Sequence, residues 1–333
     1  MTLTSKAWLV IPLLLAYSLS AGEMPADLFA FFRPDVTLTP GERERLAHGE
    51  TVTRIIPSRD GQVAVFAAMP FDAPRAATSW AHAIDHPFSD PPVLRDVDDL
   101  VLDEGDLRAL RDCRPGNCGI KLAAPEIASL RAFTAGPGGR SAEALQRWFR
   151  ETVLRRVSYY RAGGLGCIWP YADRAVPIRP NDALGVLVMG ASFLRSNAHA
   201  VADDLVSYPY ALAAPRDSVV YWSKEQIGGA ATVTVTHLRT YGAGGSRLLP
   251  LALGAGVEVY ASHYRTGSLT IIGVVGATDT RSTYLTYLNR SQVDTLRGAL
   301  GRVRRPGVER RVQQEAVLAV GRLRQRLERA AGN

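Results

Sequence analysis

Five strand-like segments near the C-terminus, most of them separated by short glycine-containing links, constrain the fold of this chain more than any other sequence feature. The segments are Val219–Glu225, Ala231–Tyr241, Gly256–Tyr264, Ser268–Val275 and Thr283–Asn289. Links of this kind favour antiparallel neighbours, because a parallel connection needs a long crossover. This part of the chain therefore predicts an antiparallel meander with at least one apolar face to bury.

The residues after Pro306 predict one long amphipathic helix that ends near Ala331, and a shorter helix is predicted to begin at Ser291. The apolar stripe of the long helix follows helical spacing: Val308, Val312, Ala316, Ala319, Val320, Leu323 and Leu327. A one-sided sheet and an apolar stripe can bury each other. The predicted fold class is therefore α+β, with a curved antiparallel sheet gripping a long C-terminal helix.

The N-terminal half predicts a hairpin followed by helices. Two apolar runs flank Ser58-Arg59-Asp60-Gly61, where glycine suits a turn residue with positive φ. The predicted helices are Arg75–Ile84, Glu104–Arg111, Pro125–Phe133, Ser141–Tyr160, Leu184–Leu194 and His199–Ser207. We expect one domain over residues 23–333, with residues 50–90 and 215–333 as its core and residues 100–210 as a helical insertion.

The stretch GQVAVFAAMPFDAPRAATSWAHAID, residues 61–85, resembles the opening of the START-like helix-grip superfamily. Such chains begin with a strand, a linker containing Ala-Pro and a helix with an aromatic residue, here Val63–Ala68, Ala73-Pro74 and Trp80. The meander and closing helix fit the same superfamily, whereas residues 100–210 depart from it. The segment CRPGNCGIKL and the block ASHYRTGSL with YLTYLNRSQVDTLRG also resemble a family of uncharacterised exported bacterial proteins, which implies no activity.

The N-terminus predicts a secretory signal peptide over residues 1–22. Lys6 precedes the apolar run Ala7–Tyr17, and small residues follow it. The run is shorter than the ~20 apolar residues that span a bilayer. We therefore expect an exported protein, periplasmic or extracellular, with an uncleaved N-terminal anchor as the alternative.

Export favours a disulfide between Cys113 and Cys118, which bracket a Pro-Gly turn. Cys167 is then expected to be a buried thiol. No histidine lies close enough in sequence to complete a zinc site, and Gly119 stands where a c-type haem motif requires histidine. We expect no metal and no cofactor.

The basic character of the chain does not indicate a nucleic-acid partner. The net charge is +7 and the pI about 9.5, but no nucleic-acid-binding motif accompanies the charge. The last helix carries one strongly basic face: Arg310, Arg311, Arg322, Arg324, Arg326 and Arg329. This face is either simply solvated or docks on an anionic membrane surface.

Two histidines on the apolar faces of strands are the centre of the candidate site. His237 shares its face with Val233 and Val235, and His263 shares its face with three apolar residues from Val257 onward. Both rings are therefore expected to point inward, under the terminal helix. They could be hydrogen-bonded core histidines, line a pocket, or form a catalytic pair.

Three further residues complete the candidate ligand-binding set: Tyr287, Asn289 and Glu225. If the histidines held a metal, Glu225 or Asp294 could supply a third ligand. The expected function is binding of an apolar or amphipathic small molecule, such as a lipid, in a cavity between sheet and C-terminal helix. The alternatives are a hydrolase-type enzyme using His237 and His263, and an envelope interaction protein using the insertion.

Overall fold

The computed structural model of the chain describes residues 28–71, 97–210, 215–227, 230–242, 250–276 and 283–332. Its helices are α1 Pro40–Ala47, α2 Glu104–Arg111, α3 Ala124–Ala135, α4 Ala142–Gly163, α5 Pro180–Gly190, α6 Ser192–Asn197, α7 His199–Ser207 and α8 Ala299–Gly332. The predicted signal peptide, the predicted helix Arg75–Ile84 and the Ala73-Pro74 and Trp80 positions lie outside the described residues. Among the described residues, no helix combines the length and the hydropathy that crossing a bilayer requires.

A seven-stranded antiparallel sheet forms the centre of the molecule. Its strands are β1 Val52–Ile56, β2 Gln62–Phe71, β3 Asp217–Ile227, β4 Ala230–Gly242, β5 Ala252–Ala261, β6 Arg265–Gly276 and β7 Thr283–Val293. Their spatial order is β1-β2-β7-β6-β5-β4-β3, so the last five strands form the predicted meander and the N-terminal hairpin adds to β7. The α+β class and the packing of the C-terminal helix on the sheet are confirmed.

Both faces of the sheet are covered, and each strand contributes side chains to both. In β2, Val65 and Ala67 pack against α8, on what we call the helix side. Phe66 and Ala68 pack against the helical segment 97–210, on what we call the insertion side. Because a strand alternates its side chains, burial on both faces makes β2 an almost continuous apolar run.

Capping and turn residues place the element ends close to where the sequence predicts them. The Thr39 hydroxyl accepts from the backbone N–H of Glu42, and the Glu42 carboxylate accepts from the Thr39 N–H at 2.7 Å. These two hydrogen bonds form a capping box. Ser141 caps α4 with its hydroxyl, which accepts from the Ala144 N–H. Gly61 has φ of +73°, which the hairpin turn between β1 and β2 requires.

The predicted stripe of α8 packs as expected, but the helix begins earlier than predicted. Ala316, Val320, Leu323 and Leu327 are buried against the sheet. The helix runs from Ala299 through Pro306 without a restart, and residues 291–293 belong to β7. Pro306 and the residue four positions before it are exposed, so the carbonyl that loses its N–H partner can be hydrated.

Two local predictions are wrong. The single helix predicted over residues 184–194 is divided between α5 and α6, which meet at Ala191, where the backbone (φ −84°, ψ 78°) leaves the helical region. Cys167, predicted to be buried, is exposed at the end of the 3-10 turn Gly164–Cys167.

The predicted disulfide between Cys113 and Cys118 is present. It closes a short loop between α2 and α3 that is otherwise held by Arg114 and Asn117 backbone bonds. Disulfides are typical of proteins outside the reducing cytosol.

Candidate functional site

His237 lies on the insertion side of the sheet and is buried. Its Nδ1 is 2.7 Å from the hydroxyl of Tyr160 on α4, and its Nε2 is 2.7 Å from the Ser218 hydroxyl on β3. The ring of Tyr208 packs edge-on against the imidazole, with the two ring centroids 4.7 Å apart. The expectation that this ring lies under the terminal helix is therefore wrong: the valine face of β4 is directed toward the insertion.

Arg239 determines which nitrogen of His237 carries the proton. The Arg239 Nε–H donates to His237 Nε2 at 3.3 Å, and a guanidinium can only donate. Nε2 is therefore the acceptor, and Nδ1 carries the hydrogen and donates it to Tyr160. Because Nε2 has a single lone pair, the Ser218 hydroxyl and Arg239 share it, and Ser218 makes the shorter contact at 2.7 Å.

Burial and the Arg239 charge lower the pKa of His237 to about 3, so the ring is neutral at neutral pH. The charge of Arg239 is balanced by Asp204 on α7, with which it forms a buried ion pair. Asp204 also accepts a bond of 2.6 Å from the Tyr241 hydroxyl. This network joins two insertion helices to β3 and β4.

His263 lies beyond the end of β5 and has a different set of partners. Its Nε2 is 2.6 Å from Asp106 Oδ1 on α2, so it also packs against the insertion and not under α8. His237 pairs with Val257, and His263 lies six residues further along the chain. At ~3.3 Å per residue, the two rings are separated by roughly 15–20 Å, and they share no substrate-sized site.

The helix side of the sheet carries a separate polar cluster, which we call the Glu258 site. Its members are Glu225, Glu258, Arg265, Tyr221 and Tyr287. Arg265 is 2.5 Å from Glu258 and 2.9 Å from Glu225. Both tyrosines pack against the apolar cluster that includes α8. The Glu258 site therefore lies on the face of the sheet that α8 covers.

Two atoms of the Glu258 site are buried without a hydrogen-bond partner among the described residues: Glu258 Oε1 and Arg265 Nε. Glu258 as a whole is 4% exposed. Burial raises the pKa of its carboxyl to about 7, against the opposing charge of Arg265 and with the help of the Glu225 carboxylate. Burial likewise raises the pKa of Tyr221 to about 12 and that of Tyr287 further.

Alternation from Val257 places Glu258 on the helix side, and a β-bulge follows directly after it. Thr236 pairs with Glu258 and Val235 with Tyr260, so Val259 is the extra residue. Tyr260 consequently points to the insertion side, where its ring lies 4.3 Å from the Arg156 guanidinium carbon. Strict alternation from the sequence puts Glu258 and Tyr260 on one face, and this expectation is wrong.

The structure separates the five predicted ligand-binding residues into four places. Glu225 and Tyr287 belong to the Glu258 site. Asn289 lies on the same side of the sheet, but its amide is already bonded to Ser268 and Thr270 at 2.7 and 2.9 Å. His237 and His263 lie on the opposite face, in two separate networks.

Sequence reasoning did not select Glu258 and Arg265, although one signal was available. Glu258 interrupts the run Val257–Tyr260 with a charge in the middle of an apolar strand, where a charged residue needs a buried partner. Asp294, considered as a metal ligand, is instead buried in an ion pair of 2.6 Å with Lys121. Within the described residues, no group of three or more potential metal-ligating side chains converges.

Two cavities in the described part of the chain lie outside the Glu258 site. One, of about 20 Å³, lies between α4 and the sheet and is lined by Arg156, Tyr160 and Trp169. Its volume is that of a single water molecule. The other is an open cleft of about 750 Å³ lined by the 174–186 segment, Gln292 and Arg297.

No protein-family model, no curated protein and no solved structure matches this chain.

Proposed function

We propose that this chain is an exported binding protein for a small amphipathic molecule whose polar group is recognised at the Glu258 site. One observation carries the proposal: Glu258 Oε1 and Arg265 Nε are buried and lack partners among the described residues. Leaving a buried polar atom unpaired costs about 1–3 kcal/mol. A bound molecule that accepts from Arg265 and donates to Glu258 would remove that cost.

The surroundings of the Glu258 site match an amphipathic ligand. Partly buried apolar side chains adjoin its two tyrosines on the helix side: Val219 lies two residues before Tyr221 in β3, and Ile272 pairs with Tyr287. On its other flank the same face carries hydroxyl groups, including those of Ser223 and Thr234, which are 2.8 Å apart. Binding sites for small molecules commonly combine apolar walls with a few polar groups of this kind.

Export and START-like membership are part of this proposal. The predicted signal peptide and the disulfide support export. The element order supports the superfamily: a strand near the N-terminus pairs with the last strand of a meander, and a long helix follows. A ligand site between the sheet and the long helix is consistent with export and with START-like membership.

Native mass spectrometry of the full chain purified from its own host tests the binding proposal. We expect a co-purifying molecule on the wild type, and its loss in Glu258→Gln and Arg265→Gln variants. Glu104→Gln, which alters an exposed ion pair on α2, is the matched control and retains the molecule. A wild-type protein without any bound molecule, or Glu258 and Arg265 variants that retain it, would refute the proposal.

A second candidate function, a hydrolase with a serine nucleophile, is favoured by the Ser218–His237 contact. Ser218 is exposed and its hydroxyl is directed at the unprotonated Nε2 of a neutral histidine. A fluorophosphonate probe tests it. The Ser218 oxygen would bond to phosphorus, and the fluoride and the serine proton would pass to solvent, with His237 orienting the hydroxyl. Labelling that persists in Ser218→Ala, or its absence from the wild type, would eliminate this candidate.

A further inference from the structure

Three arginines line the open cleft of about 750 Å³: Arg174 pairs with Asp294, whereas Arg179 and Arg297 have no acidic partner among the described residues. Arg179 and Arg297 line it and are exposed, and Arg304 is exposed on the second turn of α8. None of Arg179, Arg297 and Arg304 forms a salt bridge with another described residue. The cleft lining includes one acidic residue, Asp182, which does not balance them. This part of the surface therefore carries an excess of positive charge.

Large apolar side chains project from the cleft lining and from the first two turns of α8, which follow Arg297 in the chain. Val176, in the cleft lining, is 76% exposed. Leu300 and Val303, three and six residues after Arg297, are 63% and 79% exposed. On a helix, Leu300, Val303 and Arg304 share one face, because positions three and four apart are neighbours. Exposed apolar groups clustered among positive charges mark an interaction surface.

We propose that this surface docks on an anionic membrane. We call it the Arg297 patch, and it consists of Val176, Arg179, Arg297, Leu300, Val303 and Arg304. Its aliphatic side chains suit a shallow insertion between lipid headgroups, and its arginines attract the negative charge of those headgroups. The aromatic residues that enrich protein–protein interfaces are absent from these six positions.

The Arg297 patch differs from the basic face that the sequence suggested for membrane docking. That face lies further along α8, where Arg324 pairs with Glu328 at 2.6 Å. Arginines paired within the protein contribute less to attraction by anionic lipids than unpaired ones. Val317 and Leu318 are also exposed further along α8, but the Arg297 patch in addition borders a cleft whose lining includes Arg179 and Arg297.

Co-sedimentation of the full chain with vesicles tests the proposal. The vesicles contain phosphatidylglycerol and phosphatidylcholine, and pure phosphatidylcholine vesicles serve for comparison. The triple variant Arg179→Gln, Arg297→Gln, Arg304→Gln should bind the anionic vesicles on the order of a hundredfold more weakly, since each basic residue near such a surface contributes about fivefold. Replacing Val176, Leu300 and Val303 with serine should also weaken binding.

The matched control removes three exposed, unpaired arginines from α3 and α4: Arg131, Arg147 and Arg155. It should retain most of the wild-type binding, and all variants should keep the wild-type unfolding midpoint because the altered side chains are exposed. An equal loss in the control, or equal binding to pure phosphatidylcholine, would overturn the proposal. If soluble glycerol phosphate fully displaces the protein from the vesicles, or if the protein binds polyglutamate but not vesicles, the patch does not recognise a membrane and the proposal is overturned as well.

Discussion

Acid should destabilise this protein through His237 at pH values where most buried networks are still intact. The ring is buried, and its pKa is lowered from 6.5 to about 3. In the unfolded chain the ring takes up a proton as the pH falls below 6.5, whereas the folded protein holds it neutral. The stability associated with the neutral ring is therefore complete above about pH 6.5 and declines as the pH falls toward 3.

The expected magnitude follows from the size of that shift. Each pH unit between the two pKa values costs ~1.4 kcal/mol, so lowering the pH from neutral to about 5 should cost about 2 kcal/mol from His237 alone. Urea unfolding across this range, for wild type and His237→Gln, measures it. The variant is less stable at neutral pH, because its packing against Tyr160 changes, but its dependence on acid should be shallower by the stated amount.

Tyr160→Phe is the matched control for this experiment. It removes the hydroxyl that accepts from His237 Nδ1 and leaves the imidazole buried. Its stability should therefore fall at every pH, while the steep decline in acid persists. If wild type and His237→Gln lose stability in parallel between neutral pH and about pH 5, the inference that a buried neutral imidazole resists protonation is wrong.

Three further predictions concern other buried groups. The pKa of Glu258 is raised from 4.5 to about 7, so the folded state holds the carboxyl proton more tightly than the unfolded chain does. As the pH rises from 4.5 to about 7, the free energy of unfolding of the wild type should fall by about 3 kcal/mol relative to that of Glu258→Gln. A difference between their urea curves that does not change with pH would contradict this prediction. Replacing Cys113 and Cys118 with serine should lower the free energy of unfolding by about 2 kcal/mol in the same urea assay, since the loop that the disulfide closes is short. An unchanged unfolding midpoint would show that the loop is equally ordered without the disulfide. Asp204→Ala should lower the free energy of unfolding by about 3–5 kcal/mol, because it leaves Arg239 buried and unpaired. Adding Arg239→Met to this variant should recover part of the loss. If Asp204→Ala alone lowers the free energy of unfolding by less than about 1 kcal/mol, water reaches the guanidinium.

The secondary structure was largely predictable because its signals are local. The α4 helix begins after Ser141 and ends at Gly163 because a cap and a glycine pair lie at those positions. The meander strands follow from alternation and glycine-rich links. The exceptions arose where tertiary packing outweighed the local signal, as at Pro306, which remains inside α8 although proline ordinarily begins or ends a helix.

The candidate site was predictable only in part. Glu225 and Tyr287 were selected as ligand-binding residues, and they do lie together beside α8. Glu258 and Arg265, which hold the unpartnered buried atoms, were not selected. Alternation places Glu258 on the face opposite to Val257 and His237, but only the tertiary structure shows that α8 covers this face and that Arg265 reaches Glu258.

The sequence by itself determined the α+β class, the meander, the amphipathic terminal helix and the short disulfide loop, because each depends on periodicity or spacing among near neighbours. Only the tertiary structure decided what each inward-facing side chain meets. His237 and His263 share an apolar alternation pattern, yet one contacts Tyr160 on α4 and the other Asp106 on α2. The physical reason is that alternation assigns a residue to a face, whereas its partner comes from a segment many residues away.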